Sequence, residues 1–403
     1  MEKGRRSGWY LTDISLIVFI FSKVGVFKGK VEYLSLALFV ILIMIHVLVK
    51  KRFCLTEQIV CYALFAIYAS LSYFWAWNKP LALESLRNVV ALLIFLTALS
   101  YYVDGKERLL KTMKYVVVAN VMVSFKILVF YWMETGSAAT RIQAITGIHF
   151  NTVGQVVAFS ILFSLYLYYA CQDKRYLFFI VPQYMAVLLS SSRKSILIPI
   201  LGLFLILFLK RDWRNLMIAI LAMTAGVLLV GSVIRLTYPE MFQKLFQKFV
   251  ALGAYGRGIR TDDWSINLRS FFFDTGKSIF KSHPLFGIGI NNFAYYVGNF
   301  TSYNAERYSH NNYIELLSCM GVVGFFLYYL SYVYIFVKLA AYIRRDRKKM
   351  DLIIALSVLI DLMIMEWGIV SYSGCLYHVY ILLIYQTARY RKKLQSEVHE
   401  KSG

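Results

Sequence analysis

Long apolar segments, separated by short polar ones, run through most of the chain. Most are about 17–25 residues long, the length that a helix needs to cross the hydrocarbon layer of a membrane, although the seventh and eighth are shorter. We identify about twelve of them. In chain order they are residues 11–27, 31–49, 55–75, 83–103, 115–133, 150–170, 176–189, 196–209, 216–234, 312–337, 352–370 and 375–388. The pattern predicts an all-α polytopic membrane protein in which residues 1–403 form a single integral membrane domain.

One polar segment, residues 235–311, is much longer than the others and separates the ninth predicted helix from the tenth. Apolar side chains recur with helical spacing over residues 242–250, which predicts an amphipathic helix. That helix either lies on the membrane surface or packs against the membrane-spanning helices. A second helix is predicted over residues 267–281, followed by a tight turn at Gly287-Ile288-Gly289. Residues 235–311 are therefore expected to form a large, folded loop.

Lys and Arg residues cluster at alternate ends of the predicted helices. The clusters are at residues 3–6, 50–52, 106–114, 174–175, 210–214, 344–349 and 389–393. The positive-inside rule places all of them in the cytoplasm, so both termini are cytoplasmic and the loop 235–311 is exterior. This topology accounts for the net charge of +22, and we expect no nucleic-acid partner. The five cysteines form no CxxC pair, so neither a zinc site nor a disulfide framework is expected.

Arg193 and Lys194 lie in a serine-rich turn, residues 190–195, on the predicted exterior side. Topology disfavours cations there, so their presence indicates an anionic ligand. Pro182 and Pro199 should bend the two flanking helices and place the turn in a recess. Arg binds phosphate oxygens in a bidentate manner and Lys binds them as a point charge, and the serine hydroxyls would add hydrogen bonds. The alternative is a surface pair solvated by lipid headgroups.

His310 lies on the same predicted side, directly before the tenth helix. Histidine titrates near neutral pH, which suits it to accept a proton from a substrate hydroxyl. Asn312 is the predicted N-cap of the helix, with Glu315 three residues later as in a capping box, and Asn311 in support. The alternative is that His310 is a polar loop residue without catalytic function.

Other ionisable residues divide between the two environments. Arg141 and Arg269 are predicted to be exterior, on the side of His310. Asp361 and Glu366 fall inside the eleventh predicted span, where buried charges are costly and commonly functional. Glu366 could pair with an exterior arginine, and the sequence leaves open whether either carboxylate is structural or part of a site.

Four segments, in order along the chain, resemble the motifs of a known family. They are residues 141–151, Ser192-Arg193-Lys194, Arg269 with residues 283–293, and residues 310–315 with glycines 321 and 324. Over about residues 135–340, the chain resembles the O-antigen ligase and Wzy-type polysaccharide polymerase superfamily of bacterial membrane proteins. The first segment departs from the family pattern because Asn151 lacks the usual preceding proline. The two glycines are expected to allow close helix packing.

The resemblance implies a GT-C-like fold in the cytoplasmic membrane and a glycan donor linked by pyrophosphate to undecaprenol, used at the outer face. It also implies that Arg193 and Arg269, with Lys194 and Arg141 as helpers, bind the pyrophosphate, while His310 serves the acceptor hydroxyl. No metal and no cofactor are implied. Preorganised cations agree with this chemistry because negative charge gathers on the leaving pyrophosphate. The implied partners are the lipid-linked donor, a glycan acceptor and the bilayer. The resemblance also allows a chain-length regulator as a further partner.

Three functions are compatible with these features. The forms of the Ser-Arg-Lys and His-Asn-Asn-Tyr-Ile-Glu motifs resemble polymerases that join lipid-linked repeat units into capsular polysaccharide, exopolysaccharide or O-antigen. A ligase that transfers the same donor to a lipid-A-core or other acceptor is the first alternative. A lipid-linked glycan flippase is an alternative of another class, and the absence of detectable internal repeats argues against it.

Overall fold

The computed structural model of the protein describes residues 9–27, 29–51, 55–190, 192–221, 264–303, 305–346 and 349–402, with isolated positions 232, 235–236, 243 and 250. Within these ranges the chain is built from helices, and no residue forms a β-strand. A 3₁₀ turn, Ser72–Trp75, continues the third helix, and residues 213–221 are also helical. The α-helices are α1 (Tyr10–Lys23), α2 (Val31–Lys50), α3 (Glu57–Leu71), α4 (Lys79–Tyr102), α5 (Lys106–Phe130), α6 (Ala138–Thr146), α7 (Phe150–Cys171), α8 (Arg175–Leu189), α9 (Arg193–Lys210), α10 (Trp264–Ser282), α11 (Phe293–Phe300), α12 (Asn312–Arg345), α13 (Met350–Met365) and α14 (Cys375–Ser402).

The predicted spans overlap these helices wherever the structure describes them. Among the described residues, six helical segments are long and apolar enough to cross a membrane: α2, α3 with its 3₁₀ turn, α4, α5, α7 and α12. The all-helical prediction is confirmed, and the apolar helices agree with a membrane protein, whereas the total of about twelve spans stays a prediction. Most of the ninth predicted span and of the predicted amphipathic helix at 242–250 lies outside the described residues.

The predicted end of the eleventh span differs from the structure. The span is predicted to end at residue 370, but α13 ends at Met365. Residues 366–374 form a loop, here called the 366–374 loop, before α14 begins. The apolar residues Trp367, Ile369 and Val370 extended the predicted span into this loop, although Glu366 and Gly368 interrupt the apolar run.

The most buried helices are α7, α13 and α14. Residues 379–385 of α14 are almost completely shielded from solvent, and α7 is buried on most of its faces. A helix that is apolar all round belongs in the interior, where other helices can cover it. Helix α7 packs against α5, α8, α9 and α13, while α14 packs against α12 and α13. These helices form the framework that carries the polar residues at their ends.

Helix α12 is kinked at Gly321, where the backbone adopts φ 63° and ψ −169°. The loop that precedes α11 inserts at this kink. Ile288 N donates to Ser318 O (3.1 Å) and Gly289 N to Cys319 O (2.8 Å), while Val322 N donates to Pro284 O (2.8 Å). Backbone groups that a straight helix would satisfy internally are therefore satisfied by the inserted loop.

This arrangement corrects the expected role of one of the two glycines. Gly324 packs tightly against Met320 and Tyr68, as expected of a small residue in a helix interface. Gly321 is instead needed for its backbone conformation, which lies in a region that is essentially restricted to glycine. A Cβ atom at Gly321 would also collide with the backbone of Leu285.

Candidate functional site

His310 occupies a tight turn immediately before α12. Its backbone is left-handed, with φ 57°, which is uncommon for a residue other than glycine, asparagine or aspartate. The hydroxyl of Ser309 closes the turn by donating to Asn311 O (2.8 Å) and accepting from Asn311 N (3.2 Å). The carboxylate of Glu315 accepts from Ser309 N (2.9 Å). The side chains on both sides of His310 thus hold its backbone in a strained conformation.

The structure corrects the predicted cap of α12. Asn311, rather than Asn312, is the N-cap, since its side-chain oxygen accepts from Tyr313 N (3.0 Å) and Ile314 N (3.2 Å). Asn312 is the first helical residue, and its side chain is fully buried. The sequence pattern placed the cap one residue late because either asparagine can fill this position.

The imidazole of His310 lies against aromatic rings and is half-buried. Phe272 of α10 stacks with it, at 6.2 Å between ring centroids and 20° between planes. Tyr308 contacts it at 4.0 Å between centroids. Arg269 lies three residues before Phe272 on α10, so both side chains emerge on the same side of that helix. Helix α10 therefore brings a cation and an aromatic wall to His310 together.

The pKa of His310 is lowered to about 4. Burial of the ring is the main cause, and the positive charges of Arg269, Lys194 and Arg307 add to it. Both effects favour the neutral ring at pH 7. His310 is thus a neutral imidazole that is able to accept a proton.

Lys194 precedes the apolar stretch of α9, and its ammonium group donates to the carbonyl oxygen of Gly368 in the 366–374 loop. Its pKa is lowered to about 8, first by burial and then by the positive charge of Arg269. Lys194 and Arg269 therefore act on each other and on His310. Three of the predicted site residues, from three separate segments of the chain, come together.

The remaining predicted cations are less clearly placed. Arg193 is the first residue of α9, next to Lys194, and the position of its side chain lies outside the described atoms. The guanidinium of Arg141 donates to Gly136 O (3.0 Å) and lies over the ring of Tyr131 at 5.1 Å. Its predicted contact with the ligand stays a prediction.

The described serine hydroxyls of the 190–195 turn make hydrogen bonds within the turn itself or to the end of α8. Ser190, Ser192 and Ser195 are buried. Ser190 Oγ donates to Val187 O (2.7 Å), and Ser195 Oγ donates to Ser192 Oγ (2.7 Å). Gly154 of α7 leaves the space that two of these hydroxyls occupy. They build the turn that presents Lys194, and Ser191 lies outside the described residues.

Two titratable residues that act electrostatically on His310, Arg307 and His149, were not assigned to the site from the sequence. Arg307 is exposed and lies in the segment that leads to the His310 turn. His149 caps α7, with its ring nitrogen accepting from Asn151 N (3.3 Å). The available signal was their position, because His149 lies inside the motif 141–151 and Arg307 lies three residues before His310. Over the described ranges, no group of three or more His, Cys, Asp or Glu side chains could hold a metal ion.

The arrangement joins a neutral base to a cluster of cations. Such a site can bind a multiply charged anion and take a proton from a nucleophile beside it. Residues 176–329 match the Wzy_C family, described as O-antigen ligase. No curated protein matches the chain significantly. The match confirms the predicted resemblance to the O-antigen ligase and Wzy-type superfamily, whose members are glycosyltransferase-like ligases and polymerases, and it contains Lys194, Arg269 and His310.

Proposed function

We propose that this chain, with its O-antigen ligase segment, is a membrane glycosyltransferase that polymerises oligosaccharide repeat units linked to undecaprenyl pyrophosphate. The proposal rests on one observation: Arg269 and Lys194 both act electrostatically on a neutral His310. Sugar transfer from a pyrophosphate needs both a base for the acceptor and cations for the leaving group.

In the proposed reaction, the acceptor hydroxyl oxygen attacks the anomeric carbon of the donor glycan. The bond between that carbon and the pyrophosphate oxygen breaks, and its electron pair stays on the pyrophosphate. The hydroxyl proton passes to His310. Arg269 and Lys194 stabilise the negative charge that gathers on the leaving group, with Arg193 and Arg141 as further candidates.

The low pKa of His310 in the free protein agrees with a reaction in which the donor binds before His310 accepts the proton of the acceptor hydroxyl. In the free protein, neighbouring cations oppose protonation of the ring. A bound pyrophosphate would offset these positive charges and make the imidazole a stronger base. The base is therefore expected to strengthen once the donor is in place.

We favour a polymerase because the Ser192-Arg193-Lys194 turn and the residues 310–315 resemble polymerase forms of these motifs. A ligase would use the same donor chemistry and differ only in its acceptor. The proposal places the enzyme in the bacterial cytoplasmic membrane, with the site at its outer face and both termini in the cytoplasm.

Purified protein in liposomes, supplied with lipid-linked repeat units, tests the proposal. Wild type should lengthen the lipid-linked glycan, and His310→Asn should lower the rate about 100- to 10,000-fold, the usual contribution of an acid–base residue. Asparagine tolerates the left-handed backbone, so this variant removes the base without adding strain. His46→Ala, at a histidine that stacks on Trp9 at 3.8 Å, is the matched control.

The possible outcomes separate the candidate functions. Products of several repeat units indicate a polymerase, whereas transfer only to an added lipid-A-core acceptor would replace the polymerase with a ligase. Movement of the lipid-linked unit across the bilayer without any transfer would favour a flippase. Near-normal transfer by His310→Asn would refute the role of His310.

A further inference from the structure

Glu366 is a fully buried carboxylate that accepts hydrogen bonds from several side chains. Tyr332 OH (2.8 Å) and Ser371 Oγ (2.6 Å) donate to Oε1, and Tyr329 OH (2.5 Å) donates to Oε2. Asn312 Nδ2 contributes a longer contact to Oε2, at 3.4 Å. A buried carboxylate needs such partners, because an unpaired one costs several kcal/mol. The donors come from α12 and from the 366–374 loop, so the carboxylate ties these two elements together.

Asn312 also links α12 to the 366–374 loop, through its backbone N–H and its side-chain oxygen. Its backbone N donates to Glu366 O (2.9 Å), and its side-chain oxygen accepts from Ser371 N (2.9 Å) and Tyr372 N (3.2 Å). Asn312 lies two residues after His310 and is the first residue of α12. The position of the His310 turn is therefore determined by the 366–374 loop as well as by its own cap.

The 366–374 loop also contacts the cationic side of the site. Gly368, two residues after Glu366, provides the carbonyl oxygen that accepts from the Lys194 ammonium. A Cβ atom at Gly368 would collide with the Lys194 side chain. The 366–374 loop thus contacts both Lys194 and the start of α12, the helix that directly follows the His310 turn.

We propose that Glu366 is a positioning residue, whose buried carboxylate holds the 366–374 loop against α12 and so fixes Lys194 and His310 relative to each other. This inference rests on the proposed function for its catalytic meaning. The sequence alone left open whether Glu366 pairs with an exterior arginine. Among the described residues, its hydrogen-bond partners are hydroxyls and an amide rather than an arginine.

Glu366→Gln keeps the shape of the side chain but replaces one acceptor oxygen with a donor. At least one of the hydroxyls of Tyr329, Tyr332 and Ser371 would then face an amide N–H, and the loop should loosen. A shift of about 1 Å between reacting groups can lower a rate about 100-fold, and we expect a loss of kcat on that scale. Asp361→Asn is the matched control, because Asp361 is equally buried on α13 but neither of its oxygens has a hydrogen-bond partner among the described residues.

Two readouts distinguish positioning from general stability. The pH profile of kcat/KM reports the His310 imidazole in the free enzyme. In Glu366→Gln its acidic limb should move to higher pH, because a looser site lets water reach the ring. The second readout is the rate at which a water-soluble amine reagent modifies Lys194, followed by mass spectrometry. This rate should rise severalfold, because Lys194 loses its contact with Gly368.

The Lys194 readout does not require activity, so it separates this inference from the proposed function. If wild type transfers no sugar, the proposed function fails, and Lys194 modification still tests the role of Glu366. Unchanged Lys194 modification in Glu366→Gln, relative to Asp361→Asn, would overturn the inference. If Glu366→Gln does not fold, Ser371→Ala removes a single donor and should shift both readouts in the same direction but less. The absence of any shift in a folded Ser371→Ala would also count against the inference.

Discussion

The kink at Gly321 offers the most direct test of how the site is supported, through the substitution Gly321→Ala. The inserted loop follows α10, the helix that carries Arg269 and Phe272. An alanine Cβ would collide with the backbone of Leu285, so either the loop must move or α12 must straighten. Both responses act on α10, because the inserted loop directly follows Ser282 at the end of that helix.

The expected cost can be worked out for each response. If α12 keeps its kink, alanine adopts a backbone conformation that costs about 1–3 kcal/mol, with an added overpacking cost of about 1–3 kcal/mol. If the loop leaves, the three hydrogen bonds of Ile288 N, Gly289 N and Val322 N are lost, at about 1 kcal/mol each. The first response therefore costs about 2–6 kcal/mol in the free energy of unfolding, and the second costs about 3 kcal/mol.

Thermal unfolding in detergent, followed by tryptophan fluorescence, measures this loss, with transfer activity recorded on the same samples. Gly105→Ala is the matched control, because Gly105 also has positive φ, at 101°, but no atom lies within 4 Å of its Cβ position. The control should lose only the conformational part, about 1–3 kcal/mol, and keep its activity. Equal unfolding temperatures for the two variants would show that the inserted loop does not depend on the glycine, and would refute the reasoning.

Three further predictions concern the site. Arg269→Lys should lower transfer about 10- to 100-fold, since lysine keeps the charge but loses the bidentate contact, whereas Arg141→Lys should cost less. At low donor concentration, the transfer rate should rise with pH as His310 loses its proton near pH 4, and it should fall as Lys194 loses its charge near pH 8. Lys194→Arg should move only this fall to a higher pH. Asn311→Ala should lower the free energy of unfolding by about 0.5–2 kcal/mol through loss of the cap, as measured by thermal unfolding, and an unchanged value would contradict the assigned cap.

The sequence predicted the helices well because their signal is local. Apolar runs of membrane length mark most helices, and the predicted helix at residues 267–281 is observed as Trp264–Ser282. The boundary after Met365 was missed because Trp367, Ile369 and Val370 continue the apolar run past the end of α13. Local composition could not show that this loop is held in place by Glu366, whose donors Tyr329 and Tyr332 lie on α12.

The sequence predicted which residue types form the site, but it did not predict the hydrogen bonds that hold them in place. His310, Lys194 and Arg269 were identifiable because a base and cations stood where topology disfavours charge. The hydrogen bonds that Ser190, Ser192 and Ser195 make in and beside the turn could not be predicted from the sequence, because a serine hydroxyl can bond to a ligand or to nearby protein groups equally well.

The electrostatics of the site give a physical reason for so much buried support. Arg269, Lys194 and Arg307 all act on one half-buried imidazole, and their mutual repulsion opposes bringing their segments together. Arg269 also opposes the charged form of Lys194, so the cations repel one another within the site. Two connections oppose this repulsion: the loop inserted at Gly321 anchors α10, and the Glu366 network anchors the 366–374 loop. An anion that binds between these cations would relieve the repulsion, so the free site is poised to gain electrostatic stabilisation from a pyrophosphate.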